Sequence, residues 1–166
     1  RALMNAARVR PGTVVASSIG YGLGPRLNAA GRLEDAMLAY NLLTSTSLLE
    51  TKELAGQLGK LNQRRQQLTE ETVAIAEKQV HEGDPDGFLH LVASEEFLPG
   101  IVGLAASRLT EAYYRPSVVV EMGPEESRGS CRSIPEFHIT KALDKCKDLL
   151  VRYGGHAAAA GFTVET

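Results

Sequence analysis

The spacing of apolar residues changes twice along the chain and divides it into three stretches. Residues 1–33 have no regular period and are interrupted by glycines, which predicts a basic, loop-rich segment. From 34 to 82 apolar residues recur at helical spacing, which predicts a helical connector. From 83 to 166 short apolar runs alternate with helical patterns, as is typical of a compact α/β domain. We therefore expect the α/β class: a long helical arm followed by a small α/β domain, with a mixed central sheet flanked by helices.

Two helices are predicted in the connector, at about Glu34–Thr44 and Leu48–Val80. The second carries an apolar stripe of residues spaced four, three and seven apart: Leu54, Leu58, Leu61, Leu68 and Ile75. Such a stripe packs inside its own protein more often than it forms a dimeric coiled coil. A helix of about 33 residues is roughly 50 Å long, which suits a strut between two domains. If its covering surface is absent, we expect the stripe to be exposed and to favour self-association.

The C-terminal stretch predicts the order strand, helix, strand, strand, helix, strand. The predicted strands are Phe88–Ala93, Pro116–Met122, Ser127–Ile134 and Gly161–Val164, and the predicted helices are Ile101–Tyr113 and about Thr140–Tyr153. Three consecutive valines, Val118 to Val120, indicate a strand that is covered on both faces. The paired glycines Gly154 and Gly155 indicate the end of the preceding helix.

Composition excludes several classes of protein. Of the 166 residues, 43% are hydrophobic and 23% are charged, which is typical of a globular chain and excludes general disorder. No apolar run reaches the roughly 18 residues that a membrane span requires, so no membrane partner is expected. Two cysteines, Cys131 and Cys146, and the lack of a signal-peptide pattern fit the reducing cytoplasm. Because the chain begins at Arg1 rather than at methionine, we expect a piece of a longer protein.

Positive charge is concentrated at the start of the chain, although the net charge is −2. Before the first acid, Glu34, stand five arginines: Arg1, Arg8, Arg10, Arg26 and Arg32. This stretch either faces a polyanion or forms a solvated edge. Arg26, Asn28 and Arg32 lie in the block Gly-Pro-Arg-Leu-Asn-Ala-Ala-Gly-Arg, whose small residues allow a ligand to approach. Guanidinium donors suit phosphate; the alternative is a loop whose arginines pair with acids elsewhere.

A second basic block, Arg-Gly-Ser-Cys-Arg-Ser, lies on a predicted strand. Alternation along the strand places Arg128, Ser130 and Arg132 on one face. Two guanidinium groups beside a hydroxyl form a suitable cradle for a phosphate. An exposed edge strand would show the same pattern, and Arg132 would then pair with an acid such as Glu136 or Asp144. Both interpretations stay open.

The third block, Gly-Gly-His-Ala-Ala-Ala-Ala-Gly, surrounds His156 with small residues. These residues would let an anion approach a helix end, and the imidazole can donate a hydrogen bond to phosphate or sugar. A lone histidine is otherwise more often structural. The four histidines are scattered and no Asp-rich motif is present, so neither a metal site nor a catalytic residue is expected in this chain. From its residues alone, the chain is a binding module.

Four blocks in order resemble one family. The three blocks above, together with Gly-Ile-Val-Gly-Leu-Ala-Ala-Ser-Arg at 100–108, are similar to the RecJ family of bacterial single-strand-specific DNA exonucleases, in the DHH superfamily. The resemblance runs from about Tyr21 to the end of the chain. It implies a 5′→3′ exonuclease of DNA repair and recombination, built from two lobes joined by a long helix. The DHH lobe of such proteins binds two Mn²⁺ or Mg²⁺ ions, and the second lobe holds single-stranded DNA against them.

The resemblance also implies roles for parts of this chain. Residues 1–33 would end the DHH lobe, residues 34–82 would connect the lobes, and residues 83–166 would form the DHH-associated, substrate-binding domain. The implied substrate-binding residues are Arg26, Asn28 and Arg32 in the loop facing the cleft, Ser130 and Arg132 in a 5′-phosphate pocket, and Gly154, Gly155 and His156 in the glycine–histidine motif. The remainder of the DHH lobe is an expected partner. Without its metal ligands, this chain is expected to bind DNA without cleaving it.

Two other functions are open alternatives. Another DHH-family phosphoesterase, acting on oligonucleotides or nucleotides, would share the glycine–histidine motif but, as far as the resemblance goes, not the first block or the long helix. A non-catalytic nucleic-acid-binding accessory domain, as in the tail of alanyl-tRNA synthetase, is the alternative outside this enzyme class. The sequence upstream of Arg1 would separate them, because an Asp-His-His motif there indicates a nuclease.

Overall fold

The computed structural model describes all 166 residues, which form two compact units, Arg1–Gln67 and Leu68–Thr166. The first unit is helical, and the second is built around a β-sheet. One long helix contributes its first part to the first unit and its last part to the second. None of the helices combines the length and apolar content that crossing a membrane requires. The functional division of the chain at residues 33 and 82 stays a prediction.

Helices account for the regular structure of the first unit. Their bounds are α1 Ala2–Ala6, α2 Gly24–Leu33, α3 Met37–Thr44 and α4 Leu48–Glu82, with a π-helical stretch Ser18–Leu23 leading into α2. One hydrophobic core of this unit is formed by Ala30, Leu42, Leu54, Ala55 and Leu58. The helices α3 and α4 are the two that the sequence predicts for the connector, with small shifts at their ends.

The basic block at the start of α2 forms a helix, and the prediction of a loop there is wrong. Pro25 lies in the first turn of α2, where its fixed φ and missing N–H are tolerated. Ala29 and Ala30 have high helix propensity and are fully buried. Glycine and proline predict breaks, whereas here they begin a helix whose Ala30 packs into the core.

The apolar stripe of α4 is covered within the chain. Leu54 and Leu58 are buried in the core of the first unit, and Leu61 packs against that core. Further along, Leu68 is half-buried and Ile75 packs against a core of the second unit. This confirms that the stripe packs inside its own protein, so the condition for a bare stripe is not met, and self-association through this helix stays a prediction.

The second unit is built on a five-stranded mixed sheet with the strand order β1-β2-β3-β5-β4. The strands are β1 His90–Ser94, β2 Ser117–Glu121, β3 Glu126–Arg132, β4 Arg152–Gly155 and β5 Ala159–Glu165. Helix α5, Pro99–Tyr113, connects the parallel strands β1 and β2, whereas the other pairs are antiparallel. Helix α6 spans Ile139–Lys145. The mixed sheet and its flanking helices confirm the predicted fold class.

Different helices cover the two faces of the sheet. Val119 of β2 packs in a core with α5. Val118 and Val120 point to the opposite face, where they pack with Cys131 of β3 and Ile139 of α6. The run of three valines is therefore covered on both faces, as the sequence predicts.

The last predicted helix ends early, and the glycine pair does not terminate it. Helix α6 ends at Lys145, a 3₁₀ turn follows at Lys147–Leu149, and Arg152–Gly155 forms strand β4. Gly155 has a φ of 152°, and a Cβ there would overlap the carbonyl oxygen of Ala159. The glycine pair serves a β-hairpin with β5. Pairing between strands, which a local helical pattern does not report, decides the conformation of this segment.

Candidate anion-binding site

One face of β3 carries the second basic block. Arg128 is exposed, and Ser130 and Arg132 are half-buried, whereas the intervening Gly129 and Cys131 are buried. This alternation confirms the predicted placement of the three polar side chains on one face. It is the face on which α5 packs.

Neutral groups hold Arg132 in place. Its Nη1 donates to Ser130 Oγ at 3.2 Å and to the carbonyl oxygen of Cys131 at 2.8 Å. No carboxylate forms an ion pair with the guanidinium. The side chain is therefore oriented beside the hydroxyl while its positive charge is not neutralised by an acid.

The acids that sequence reasoning offered as partners of Arg132 are engaged elsewhere. Glu136 accepts hydrogen bonds from the Tyr114 hydroxyl at 3.1 and 3.3 Å, and this contact raises the pKa of Tyr114. A hydrogen bond to Asp144 raises the pKa of Tyr153 in the same way. Arg132 therefore forms no ion pair with Glu136 or Asp144, and that alternative is wrong.

Helix α5 approaches the arginine–serine pair closely because residue 103 is a glycine. A Cβ at Gly103 would lie 3.1 Å from Ser130 Oγ and 3.2 Å from Arg132 Nη2, tighter than an ordinary contact. Glycine inside a helix costs roughly 1 kcal/mol relative to alanine, and at residue 103 this crowding is a packing reason for it. The glycine of this helical block leaves room for Ser130 and Arg132.

Beyond β3, the same face of the sheet is nearly bare backbone. Ser130 lies opposite Gly161 of β5, which in turn lies opposite Gly154 of β4, and Arg132 lies opposite Ala159. A Cβ at Gly154 would meet no atom within 4 Å. A shallow cleft of about 330 Å³ includes this part of the sheet. An extended ligand can therefore lie directly on the strands.

His156 stands at the turn of the β4–β5 hairpin. Its N–H donates to the carbonyl oxygen of Ala159 at 2.7 Å, and its carbonyl oxygen accepts from Thr140 Oγ1 at 2.7 Å. These backbone hydrogen bonds hold His156 close to Ala159, the residue of β5 that lies opposite Arg132. The imidazole is exposed and makes no hydrogen bond or ion pair. The structure therefore brings the glycine–histidine block and the β3 block to the same sheet.

The side chains of this site can donate hydrogen bonds and supply positive charge. Burial raises the pKa of the Cys131 thiol to about 11, although the neighbouring Arg132 opposes the rise, so the thiol is protonated near neutral pH. No group of three or more histidine, cysteine, aspartate or glutamate side chains is arranged to hold a metal ion in this chain. What the site offers is donors, positive charge and open backbone.

The three polar residues of α2 lie in the first unit and do not share one helix face. Asn28 and Arg32 are exposed and one turn apart, so they lie on the same side of α2. Arg26 points elsewhere and is half-buried, and its Nη1 donates to the carbonyl oxygen of Gly22 at 2.6 Å. The structure pairs two of the predicted residues and gives the third a local role at the start of the helix.

Sequence reasoning missed Arg152, which it placed inside a helix. In the structure Arg152 lies in β4 and its Nε donates to Thr163 Oγ1 of β5 at 3.1 Å. Arg128 stands on the other side of Thr163 in β3. The signal that would have found Arg152 is the paired pattern of two short glycine-containing segments, which favours a hairpin over a helix end.

Comparison with known proteins matches this architecture to a family. Residues 86–166 match the DHHA1 domain. The similarity to this domain covers about half of the chain. The match begins just before β1 and contains every strand of the sheet, with the whole candidate site on β3, β4 and β5.

Relatives extend the similarity to nearly the whole chain. The single-stranded-DNA-specific exonuclease RecJ of Bacillus subtilis is 38% identical over 150 residues, which are 89% of this chain and 19% of that protein. RecJ of Escherichia coli is 35% identical over 176 residues, covering 99% of this chain and 30% of that protein. The resemblance to the RecJ family is confirmed. The chain spans about a fifth to a third of the length of these relatives.

Solved structures show the same fold. RecJ from Thermus thermophilus in complex with Mg²⁺ superimposes with a TM-score of 0.85 at 36% identity, covering 98% of this chain and 25% of that one. An exonuclease RecJ bound to manganese gives a TM-score of 0.80 at 36% identity, covering 98% of this chain and 40% of that one. The similarity includes both compact units.

Proposed function

We propose that this chain is the substrate-holding part of a RecJ-like exonuclease that degrades single-stranded DNA in the 5′→3′ direction. The observation that carries the proposal is the Ser130–Arg132 pair, an oriented guanidinium beside a hydroxyl with no acid to neutralise it. In this proposal the pair receives the 5′-phosphate of the strand. Its role in the cell would be DNA repair and recombination in the cytoplasm.

A terminal phosphate suits this pair better than a neutral group does. Guanidinium donors and a hydroxyl bond well to phosphate oxygens, and bonds to charged groups are about twice as strong as neutral ones. Gly103 keeps the pocket open on the helix side, and Gly154 and Gly161 keep it open along the sheet. His156, at the hairpin turn, would donate to the sugar–phosphate backbone. Asn28 and Arg32 of α2 would contact the strand as well.

Cleavage is not a property that we assign to this chain alone. The RecJ structures named above contain Mg²⁺ or Mn²⁺, but the side chains of this chain include no group that fits such an ion. We propose that the divalent metal belongs to a DHH lobe elsewhere in the full-length protein. The 166-residue chain would then bind single-stranded DNA and leave it intact, with or without manganese.

End preference tests the proposed 5′-phosphate site. We expect Arg132→Ala to weaken binding of a 5′-phosphorylated oligonucleotide by roughly 10- to 150-fold, the range for a charged hydrogen bond. Binding of the same oligonucleotide with a 5′-hydroxyl should change much less, because only the phosphate fills the pocket. Lys78→Ala is the matched control, since Lys78 is exposed, carries one positive charge and is ion-paired with Glu82 on α4. Equal weakening for both ends would contradict the proposal, and so would a lower melting temperature with unchanged binding.

A further inference from the structure

We propose that the sheet carries a second phosphate subsite, formed by Arg128 and Arg152 on either side of Thr163, which binds an internal phosphodiester of a single-stranded nucleic acid. The inference rests on the proposed function, which places the terminal phosphate at Ser130 and Arg132. It adds Arg152, which none of the three blocks contains, and gives Arg128 of the second block a partner other than Ser130 and Arg132.

The three residues form one row across three adjacent strands. Thr163 of β5 lies opposite Arg128 of β3 on one side and opposite Arg152 of β4 on the other. Residues paired in this way point to the same face of a sheet, here the face that carries Ser130 and Arg132. With neighbouring strands about 4.8 Å apart, the two arginines flank a gap of roughly 10 Å between their backbones. Long side chains reach across such a gap to a shared anion.

Contacts within the row orient one arginine and leave the charges unneutralised. The Thr163 side chain is buried, with 3% of the residue exposed, and its hydroxyl accepts from Arg152 Nε at 3.1 Å. This bond leaves the two terminal nitrogens of Arg152 available. The side chain of Arg128 is exposed and makes no hydrogen bond, and neither arginine forms an ion pair. Glu121 lies opposite Arg128 in β2 but not within ion-pair distance. Two like charges beside one cleft are typical of an anion site.

The path between the two subsites is open. Along β3, Arg128 is two residues from Ser130 and four from Arg132, or roughly 7 and 13 Å. Ser130 lies between these two arginines on β3, and the residues opposite it on β5 and β4 are Gly161 and Gly154, which have no side chains. The cleft of about 330 Å³ is lined by both glycines and by the arginine–threonine row. A strand anchored at its end by Arg132 can therefore cross bare backbone to reach Arg128 and Arg152. Such contacts go to phosphates and are independent of base sequence.

Binding of two ligands by the whole chain separates the subsites. One ligand is thymidine 5′-monophosphate, and the other is a 5′-phosphorylated oligothymidylate of about six nucleotides. We expect Arg128→Gln and Arg152→Gln each to lower the affinity for the oligonucleotide roughly tenfold, because each removes a charged hydrogen bond. The affinity for the monophosphate should not change. The slope of log affinity against log salt concentration should fall by about 0.7 for each phosphate of the single strand that the variant no longer neutralises. Lys78→Gln, which removes an equal charge outside the row, should change neither affinity nor slope.

Arg132→Gln distinguishes failure of this inference from failure of the proposed function. If Arg132→Gln weakens both ligands while Arg128→Gln leaves affinity and salt slope unchanged, the second subsite is wrong and the terminal site stands. Equal weakening of the monophosphate by Arg128→Gln would also overturn the subsite, because the row would then belong to the terminal pocket. If Arg132→Gln leaves the affinity for both ligands unchanged, the proposed function fails, whatever the result for Arg128→Gln and Arg152→Gln. Arg152→Gln breaks the hydrogen bond to Thr163 and can lower the melting temperature. The Arg128 side chain makes no hydrogen bond that a substitution could break, so Arg128→Gln tests the second subsite without this complication.

Discussion

The two faces of the sheet in the second unit are made by the same strands but are used differently. On the face covered by α6, residues of β2, β3, β5 and α6 itself meet in an apolar core: Val118, Val120, Cys131, Ile139 and Ala160. On the face covered by α5, the core stops at β3, and Ser130 and Arg132 lie beside glycines of β5 and β4. Strand alternation alone separates the two sets, because neighbouring residues of one strand point in opposite directions.

In the proposed function, folding and binding depend on different residues only one position apart in sequence. Cys131 contributes to the core while its neighbours Ser130 and Arg132 carry the candidate site. Substitutions on the α6 face should therefore change the free energy of unfolding, and substitutions on the α5 face beyond the core should change affinity.

The largest expected effect is on the apolar face. Ile139 is 1% exposed and packs in the core with Cys131 and Val118. We expect Ile139→Ala to reduce the free energy of unfolding by about 2–5 kcal/mol, because it leaves a cavity in a close-packed core. The folded fraction should bind a 5′-phosphorylated oligonucleotide with unchanged affinity. Urea denaturation and a binding titration on the same preparation measure the two quantities.

A milder substitution guards this prediction against complete unfolding. Ile139→Val should cost only about 0.5–1.5 kcal/mol and leave enough folded protein for binding measurements. A clear loss of affinity without a loss of stability in either variant would show that the two faces are not independent.

A smaller effect is expected where α5 contacts the binding face. Gly103→Ala places a methyl group against Ser130 Oγ and Arg132 Nη2, and we expect it to weaken 5′-phosphate binding about 2- to 10-fold by displacing one hydrogen bond. Its effect on stability should be small, since better helix propensity offsets the crowding. Gly56→Ala on α4, where a Cβ meets nothing within 4 Å, is the control and should stabilise the helix without changing affinity. Unchanged binding by Gly103→Ala would mean that the pair does not hold the phosphate.

The smallest effect concerns pH and the buried end of the α5 face. His90 of β1 is buried against Tyr113, and its Nε2 has no hydrogen-bond partner. Burial is the main cause that lowers the pKa of His90, and the positive charge of Arg115 lowers it further. The negative charge of Asp84 opposes this shift. The unfolded chain therefore binds a proton more readily than the native one, so stability should fall as pH drops below about 6.5. Denaturation at about pH 7.5 and 5.5 measures this fall.

His90→Phe keeps a ring against Tyr113 but has no titrating group. We expect the variant to lose part of the pH dependence of unfolding, whereas His156→Gln, which removes an exposed ring without contacts, should keep it. The same slope in His90→Phe and in the unaltered chain would show that another group is responsible.

The features that sequence reasoning predicted correctly are those set by short periods. The alternation of Arg128, Ser130 and Arg132 follows from a repeat of two. Burial on both faces around Val119 follows from an uninterrupted apolar run, and a single strand already contains both signals. The long helix α4 follows from a repeat sustained over many turns. These patterns do not depend on which partner the element packs against.

The errors arose where distant residues decide the conformation. The local sequence predicts a helix end at Arg152–Gly155 because nothing local reports its pairing with β5, and this prediction conceals Arg152 as a site candidate. Gly24 and Pro25 predict a loop at the start of α2, whereas burial of Ala30 in the core favours a helix. Closeness of Gly103 to Arg132 also depends on how α5 packs on the sheet, which the sequence does not specify.

Backbone amide chemical shifts would test most directly whether the α5 face of this sheet is the binding face. In an isotope-labelled sample titrated with the 5′-phosphorylated oligothymidylate, we expect the largest changes at Ser130, Arg132 and Gly161, which surround the proposed phosphate. Val118 and Ile139, on the apolar face, should shift little. Changes concentrated on the apolar face, or confined to the helices of the first unit with none on β3 and β5, would contradict the account.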